Sequence, residues 1–280
     1  MPEEGGNNMC ELFFQCDKGA AGDIIGAALM ELVPDKNAML DKLNQMEIPG
    51  VEYILEKKEK YGIEGNAMTV KIHGQIEEEA QEHHHEVYEH CGEHHHEAHH
   101  HETHDHHGKH SHHHMTMTEI HKIVEGLQAS GKVKKNILGI YDIIAKAESE
   151  AHSCTVSEVH FHEVGAMDAI ADVAAVCSIL EELNPSRILA SEIHVGNGTI
   201  ECAHGILPVP APATANILRE VPYDSGDIDG EICTPTGAAL LKYFVDRYVD
   251  EKPAQEEKKE GIGLGKRTFS TPSYFRACLM

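Results

Sequence analysis

The apolar run Leu12-Phe13-Phe14-Gln15-Cys16, set within Glu11 to Asp17, reads as a short strand, and Gly19-Ala20-Ala21-Gly22-Asp23 follows as a tight turn into an apolar helix, Ile24 to Leu32. Asp23 is placed to cap that helix, because a carboxylate there can accept from the orphan amides of the first turn. A second helix, Lys36 to Met46, stops before Pro49-Gly50. Glu52 to Lys60 and Asn66 to His73 then predict two strands joined by Tyr61-Gly62-Ile63-Glu64-Gly65.

The apolar pattern disappears from Gln75 to Met115 and returns with a helical period over Met117 to Ser130 and Val133 to His152, separated by Gly131, with Thr118 as a candidate N-cap. Glu158 to Glu163 reads as a strand, Gly165 as a turn, and Ala166 to Leu183 as a helix that ends before Pro185. Arg187 to His194 and Thr199 to Ala203 are expected strands either side of Gly196-Asn197-Gly198. The prolines at 208, 210 and 212 delay the next helix to about Ala213. Val221 to Cys233 is strand-like, and Thr234-Pro235-Thr236-Gly237 leads into a helix over Ala238 to Val249. A charged linker (Asp250 to Glu260), a glycine-rich turn (Gly261 to Gly265) and a last strand (Ser273 to Leu279) follow. Strands alternating with helices predict an α/β or α+β class, a mixed sheet with flanking helices. Residues 1–74 and 116–280 form the two parts of the domain and 75–115 interrupt it as a disordered loop.

Length and composition narrow the partners. A chain of 280 residues with 41% hydrophobic content can bury a core as one large domain or two small ones. A formal charge of -24 with neutral histidines repels nucleic acid and anionic lipid, which excludes both as unaided partners. No run approaches the roughly 18 consecutive apolar residues of a spanning helix. Met1 to Glu11 is acidic and polar where a signal peptide would be basic and then apolar, so a cytoplasmic location is expected. The eight cysteines are scattered without a C-x-x-C pair, as in a reducing compartment. Cys154 and Cys177 read as small buried hydrophobes; Cys16, Cys202 and Cys233, among Gly, Asp, His and Thr, are candidate ligands.

The interrupting loop carries its own chemistry. Seventeen of the 24 histidines lie between His83 and His114, with triplets at His83, His84, His85, at His94, His95, His96 and at His99, His100, His101, followed by His104, His106, His107, His110, His112, His113 and His114. Neutral imidazole suits nickel, zinc, copper and cobalt, and neighbouring carboxylates such as Glu86, Glu93 and Asp105 can complete a shell. Such a loop does not single out one metal. Interchangeable ligands suit concentration and delivery of an ion better than catalysis, which needs fixed geometry and an open position. The alternative is a solvated spacer.

Three segments in the folded part carry sharper patterns. His160 and His162, two apart on a strand, would point to one face with Glu163 on the other. Asp168 and Asp172, four apart near a helix start, share a face where the helix dipole favours carboxylates, and a cation would relieve their repulsion. Each of these residues has a plain alternative as a helix-end or core group. Cys202-Ala203-His204-Gly205 is the second segment. Cys233-Thr234-Pro235-Thr236-Gly237 is the third, where a Thr/Gly turn entering a helix offers amides and hydroxyls to an anion or serves as an ordinary N-cap. No P-loop, G-x-G-x-x-G fingerprint or G-x-S-x-G elbow stands in the right context.

Taken together, His160-Phe161-His162-Glu163-Val164-Gly165-Ala166 with Asp168 and Asp172, Cys202-Ala203-His204-Gly205-Ile206-Leu207-Pro208-Val209-Pro210-Ala211-Pro212-Ala213-Thr214, and Thr234-Pro235-Thr236-Gly237-Ala238-Ala239-Leu240 resemble the nickel insertion protein family of the nickel-pincer nucleotide cofactor. The resemblance covers most of residues 10 to 280 and includes the family's histidine-rich insertion. At the first motif Cys16, Gly19, Gly22 and Asp23 match, with Gln15 in place of an aspartate and Ile24 in place of a methionine. The resemblance implies a lyase-class, CTP-dependent cyclometallase. It would insert Ni(2+) into pyridinium-3,5-bisthiocarboxylic acid mononucleotide, making the cofactor of lactate racemase-type enzymes. It places catalysis near His160, His162, Glu163, Asp168 and His204, with Asp172 as a further metal ligand. The mononucleotide would lie near Gly19, Gly22 and Asp23 or near Thr234, Thr236 and Gly237. It also implies that longer members continue past Met280 into a domain associated with CTP and Mg(2+) or Mn(2+), so that a separate C-terminal chain or a homo-oligomer is an expected partner. The alternative function is a non-catalytic nickel chaperone or store.

Overall fold

The computed structural model describes residues 10–76, 115–161, 167–202, 205–254 and 256–280. In chain order the elements begin with β1 (Glu11–Gln15), α1 (Gly22–Leu32), α2 (Lys36–Asn44), β2 (Val51–Lys60), β3 (Ile63–Ile72) and β4 (Gln75–Ile76). Then come α3 (Met117–Gly126), α4 (Gly131–His152), α5 (Met167–Leu183), β5 (Arg187–Ala190), β6 (Ile193–His194), β7 (Gly196–Asn197), β8 (Thr199–Cys202) and β9 (Gly205–Pro208). The chain closes with α6 (Pro212–Ile217), β10 (Tyr223–Asp224), β11 (Gly230–Glu231), α7 (Pro235–Phe244), β12 (Arg247–Tyr248), β13 (Lys259–Leu264) and β14 (Tyr274–Leu279). No helix of the described residues is long and apolar enough to cross a membrane.

One eight-stranded mixed sheet, in the order β12-β5-β1-β14-β13-β3-β2 with β4 added to β3, carries the fold. β1 lies inside it, parallel to β5 (Leu12 opposite Ile188) and antiparallel to β14 (Phe14 opposite Ala277). The period of two divides its side chains: Leu12, Phe14, Phe275 and Ala277 join the main core, while Phe13, Leu189, Cys278 and Met280 form a smaller cluster. Each such fully buried large apolar side chain contributes about 1.5–3 kcal/mol. α5 is buried almost all round, from Ile170 to Leu180, and lies between α1 and α4, which explains why its apolar pattern is continuous and not one-sided.

The glycine-rich segment near the C-terminus is a strand, not the turn its composition suggests. A Cβ on Gly263 would lie 1.8 Å from the Ile24 carbonyl oxygen, and one on Gly261 would lie 2.1 Å from that of Ala28. Glycine at both positions lets β13 pass directly beneath α1. Other boundaries also move. The β2–β3 connection is a two-residue turn, Tyr61 (φ 54°) and Gly62 (φ 78°), so β3 begins at Ile63. The expected strand Arg187 to His194 breaks at Ser191, whose hydroxyl accepts from the Cys16 amide, and its two halves enter different sheets. The helix expected to run to Val249 ends at Phe244, because Arg247 and Tyr248 are captured as an edge strand by β5. Val221 to Cys233 holds two short strands only, β10 and β11.

The helix caps are corrected likewise. Thr116, not Thr118, caps α3, in a reciprocal capping box with Glu119. Ala21 is the N-cap of α1, and Asp23 lies in its first turn. From Glu158 to Phe161 there is no regular strand: Val156–Glu158 is a 3-10 turn, and Phe161 makes an isolated bridge to Met115. Val159 and Phe161 are buried and His160 is exposed, so an alternation survives without a ladder. His162, the other half of the expected two-histidine face, lies outside the described residues.

Candidate functional site

Two segments far apart in sequence are fastened backbone to backbone. The Ala20 amide donates to Ile232 O (2.8 Å) and the Thr234 amide to Ala20 O (3.0 Å), so the glycine turn and the Thr/Gly turn form one structure. Gly237 is glycine because a Cβ there would meet Ala20 O at 2.0 Å, and Gly19, at φ +128°, abuts Ile232 O. These contacts set the starts of α1 and α7 side by side. α5 joins them through Gly22, over which the side chain of Asp172 lies.

The N-termini of α1, α5 and α7 thereby open on one cleft of about 260 Å³. Gly22 and Asp23 come from α1, Asp168, Ala169 and Asp172 from α5, and Thr234, Pro235 and Thr236 from the α7 start. The strap between β13 and β14 closes the far side with Lys266, Arg267, Phe269 and Ser273, and Glu231 lines it from β11. Helix N-termini carry partial positive charge, which suits both the aspartates in their first turns and an incoming anion. Locally, the Asp168 carboxylate accepts from the Ala169 amide (2.7 Å) and the Thr234 hydroxyl from the Gly237 amide (3.2 Å).

The carboxylates crowd one another. Burial pushes the Asp172 carboxyl well above the ordinary range, and the charges of Asp23 and Asp168 push it further; Lys266 and the Asp23 amide oppose them. Burial together with Asp168 and Asp172 also raises the Tyr141 phenol beneath. Tyr53 supports the helix from behind, its hydroxyl donating to Ala171 O at 2.7 Å. Arg267 stands 3.6 Å from Glu231, which is 7% exposed. The cleft is therefore of mixed charge, acidic on the α1 and α5 side and carrying Lys266 and the Arg267–Glu231 pair on the other.

Of the residues singled out in the sequence, Gly22, Asp23, Asp168, Asp172, Thr234 and Thr236 line this cleft. Gly19 and Gly237 shape it from behind. His160 is exposed and does not line it. His162, Glu163, His204 and the histidine run from His83 to His114 lie outside the described residues. Cys16 and Cys233 are fully buried and do not line the cleft, and burial raises both thiols; Cys177 is the buried hydrophobe expected, and Cys154 is half-buried. Among the described residues, only Glu257, Glu260 and Cys278 bring three ligand-type atoms within 4.8 Å of one another, and there the Lys252 ammonium donates to Glu257 and Cys278. The three aspartates of the cleft do not close to that spacing, so an ion held by them would draw on further donors.

Sequence reasoning missed Glu231, Lys266, Arg267 and Phe269. A signal existed in the Lys266-Arg267 pair, two adjacent cations in a chain of net charge -24. Reading Gly261 to Gly265 as a glycine-rich turn concealed it.

The nickel insertion protein family model matches residues 12–280. A pyridinium-3,5-bisthiocarboxylic acid mononucleotide nickel insertion protein of Clostridium acetobutylicum is 42% identical over 274 residues, spanning 96% of this chain and 63% of the relative. Proteins of the same name from Clostridium kluyveri (35% identical; 96% of this chain, 61% of the relative) and Staphylococcus saprophyticus (32%; 95% and 59%) align over the same extent. The chain thus spans about three fifths of the length of these relatives. No solved structure matches it. With its family model spanning everything from β1 to the last residue, and with the glycine, aspartate and threonine segments of the resemblance folded into one cleft, the chain belongs to the nickel insertion protein family.

Proposed function

We propose that this chain carries the nickel-insertion site for a pyridinium bisthiocarboxylate mononucleotide, and that the site is the cleft at the N-termini of α1, α5 and α7. The observation that carries this reading is the distribution of charge around the cleft, with Asp23, Asp168 and Asp172 lining it from α1 and α5 and Lys266 and Arg267, the latter paired with Glu231, lining it from the strap. Nickel is the reaction's cargo. Carboxylates from two helices suit a divalent ion held loosely enough to be passed on, with His162, Glu163 and His204 as candidate additional donors. A cationic pyridinium ring is compatible with the acidic wall. The phosphate suits the α7 N-terminus with Thr234 and Thr236, next to the strap cations. The histidines from His83 to His114 would gather the ion. Lyase-class cyclometallation with CTP and Mg(2+) or Mn(2+), and a contribution from a further domain or partner chain, belong to the same proposal.

The test is formation of the nickel-bearing mononucleotide, followed by mass spectrometry, from precursor, Ni(2+), CTP and Mg(2+) or Mn(2+). The wild-type protein is compared with Asp168→Asn and Asp172→Asn. Losses of about 100-fold or more, the usual scale for removing a positioned reacting group, are expected in both. Full activity in both would overturn the assignment of the cleft. The density of histidine favours a second reading, a nickel store. It predicts nickel binding by the intact chain with no product under any of these conditions, including addition of the remaining part of a longer relative.

A further inference from the structure

The strap that supplies the cationic wall of the cleft is held by the turn between β2 and β3, at the edge of the sheet. Lys60, the last residue of β2, directs its ammonium at three successive carbonyls, those of Gly265 (2.6 Å), Lys266 (2.9 Å) and Arg267 (3.1 Å). An ammonium carries three N–H donors, and three convergent acceptors curl the strap backbone around it. The neighbouring Tyr61 hydroxyl donates to Phe269 O. At the other end of the strap, Ser273 Oγ and the Tyr274 amide both donate to Lys18 O (2.9 and 3.0 Å). The turn is itself firmly placed, since Tyr61 and Gly62 close a two-residue hairpin whose strands pair without a break from Lys60 opposite Ile63 to Val51 opposite Ile72.

We propose that Lys60 is a positioning residue for substrate binding: by gathering the carbonyls of Gly265, Lys266 and Arg267 it fixes the strap so that the Lys266 and Arg267 side chains face the anionic groups of a pyridinium mononucleotide in the cleft. This rests on the reading of the cleft as the substrate site. Lys60 does not line the cleft and acts through the strap. Without its charge-assisted hydrogen bonds the carbonyls are free to turn to water and the two cations lose their common direction. An arginine, with more donors, can hold the same carbonyls.

The experiment measures the affinity of the intact chain for nicotinic acid mononucleotide, a pyridinium carboxylate mononucleotide, by calorimetry. Wild type is compared with Lys60→Met, Lys60→Arg, the double variant Lys266→Met/Arg267→Met, and the triple variant combining that double variant with Lys60→Met. The expected result is about a tenfold or greater weakening in Lys60→Met, about threefold or less in Lys60→Arg, and no further loss in the triple variant beyond the double, because groups acting as one unit are not additive. A purely structural lysine would weaken the triple variant further, and that result overturns the proposal. Unchanged affinity in Lys60→Met with weakened binding in Lys266→Met/Arg267→Met would also overturn it, leaving the cleft reading intact. Absence of binding by wild type, or full binding by the double variant, would overturn the cleft reading and this inference with it. If Lys60→Met does not fold, Lys60→Gln takes its place, and failure of both to fold assigns Lys60 a structural role and refutes the positioning one.

Discussion

A Cβ placed on Gly22 would stand 2.7 Å from the Cβ of Asp172 and 2.9 Å from its Oδ2. The absent side chain at the start of α1 is therefore what admits an α5 carboxylate to the cleft, where the Asp23 amide donates to it. Gly22→Ala should force α1 and α5 apart at their N-termini, at a cost of about 1–3 kcal/mol for overpacking. Product formation should fall more steeply than stability, because the displaced group is Asp172. Chemical denaturation alongside the insertion assay checks this, and an alanine variant with wild-type stability and activity would refute the packing argument.

Asp172 should destabilise the fold at neutral pH when no metal is bound. An acid whose folded pKa lies above its unfolded value binds more protons folded than unfolded, so stability falls as pH rises from the ordinary carboxylate range to the raised folded value. Burial, Asp23 and Asp168 raise it in that order. Asp172→Asn, which stays neutral, should melt a few degrees higher than wild type at pH 8 in chelator, with the difference shrinking towards pH 4. A variant that melts lower than wild type at pH 8 would contradict the crowding of carboxylates described here.

Glu31, at the C-terminal end of α1, behaves in the opposite sense. Burial would raise its carboxyl, but hydrogen bonds from Lys36, Lys57 and Asn66 outweigh burial and hold it at about 2. A depressed carboxyl stabilises the fold above its unfolded pKa, and that stability is lost as pH falls towards 2. Glu31→Gln should cost about 1–2 kcal/mol at pH 7, discounted for the exposure of Lys57, and progressively less below pH 4.5. Urea titrations at pH 7 and pH 3 test this directly; equal losses at both would show that the charge is not what matters.

Deleting Glu82 to His114 should leave the melting temperature of the metal-free chain within about 2 °C, since a polar insertion of that length adds little closure entropy. Nickel stoichiometry by equilibrium dialysis should fall by several ions, and the binding that disappears should be the part that fails below pH 6, where imidazoles protonate. Undiminished nickel binding by the deletion variant would move the reservoir into the folded part.

The local elements were largely legible because they depend on short-range patterns. The Leu12 to Cys16 run, the Ile137-Ile140-Tyr141-Ile144 stripe of α4 and the proline stop after Leu183 need no distant partner to be recognised. The site was legible in its parts: Gly22, Asp23, Asp168, Thr234 and Thr236 each sit in a turn or first helical turn that announces itself by residue type, and Asp172 follows Asp168 one helical turn on. Illegible were the residues whose state is set by contact. Gly261 and Gly263 look like a loop until α1 is laid across them, and Arg247-Tyr248 looks like helix until β5 offers an edge.

By itself, the sequence determined the succession of strands and helices, the histidine-rich insertion and the residue types of the site, all of which follow from periodicity, turn chemistry and composition over a few neighbouring residues. Only the tertiary structure decided that Ala20 and Thr234 join, that Asp172 lies over Gly22, and that Lys60 reaches the strap carrying Lys266 and Arg267. Those pairings span between about 150 and 215 residues of chain, and they are selected by close packing and hydrogen-bond geometry across the core, which no local pattern encodes.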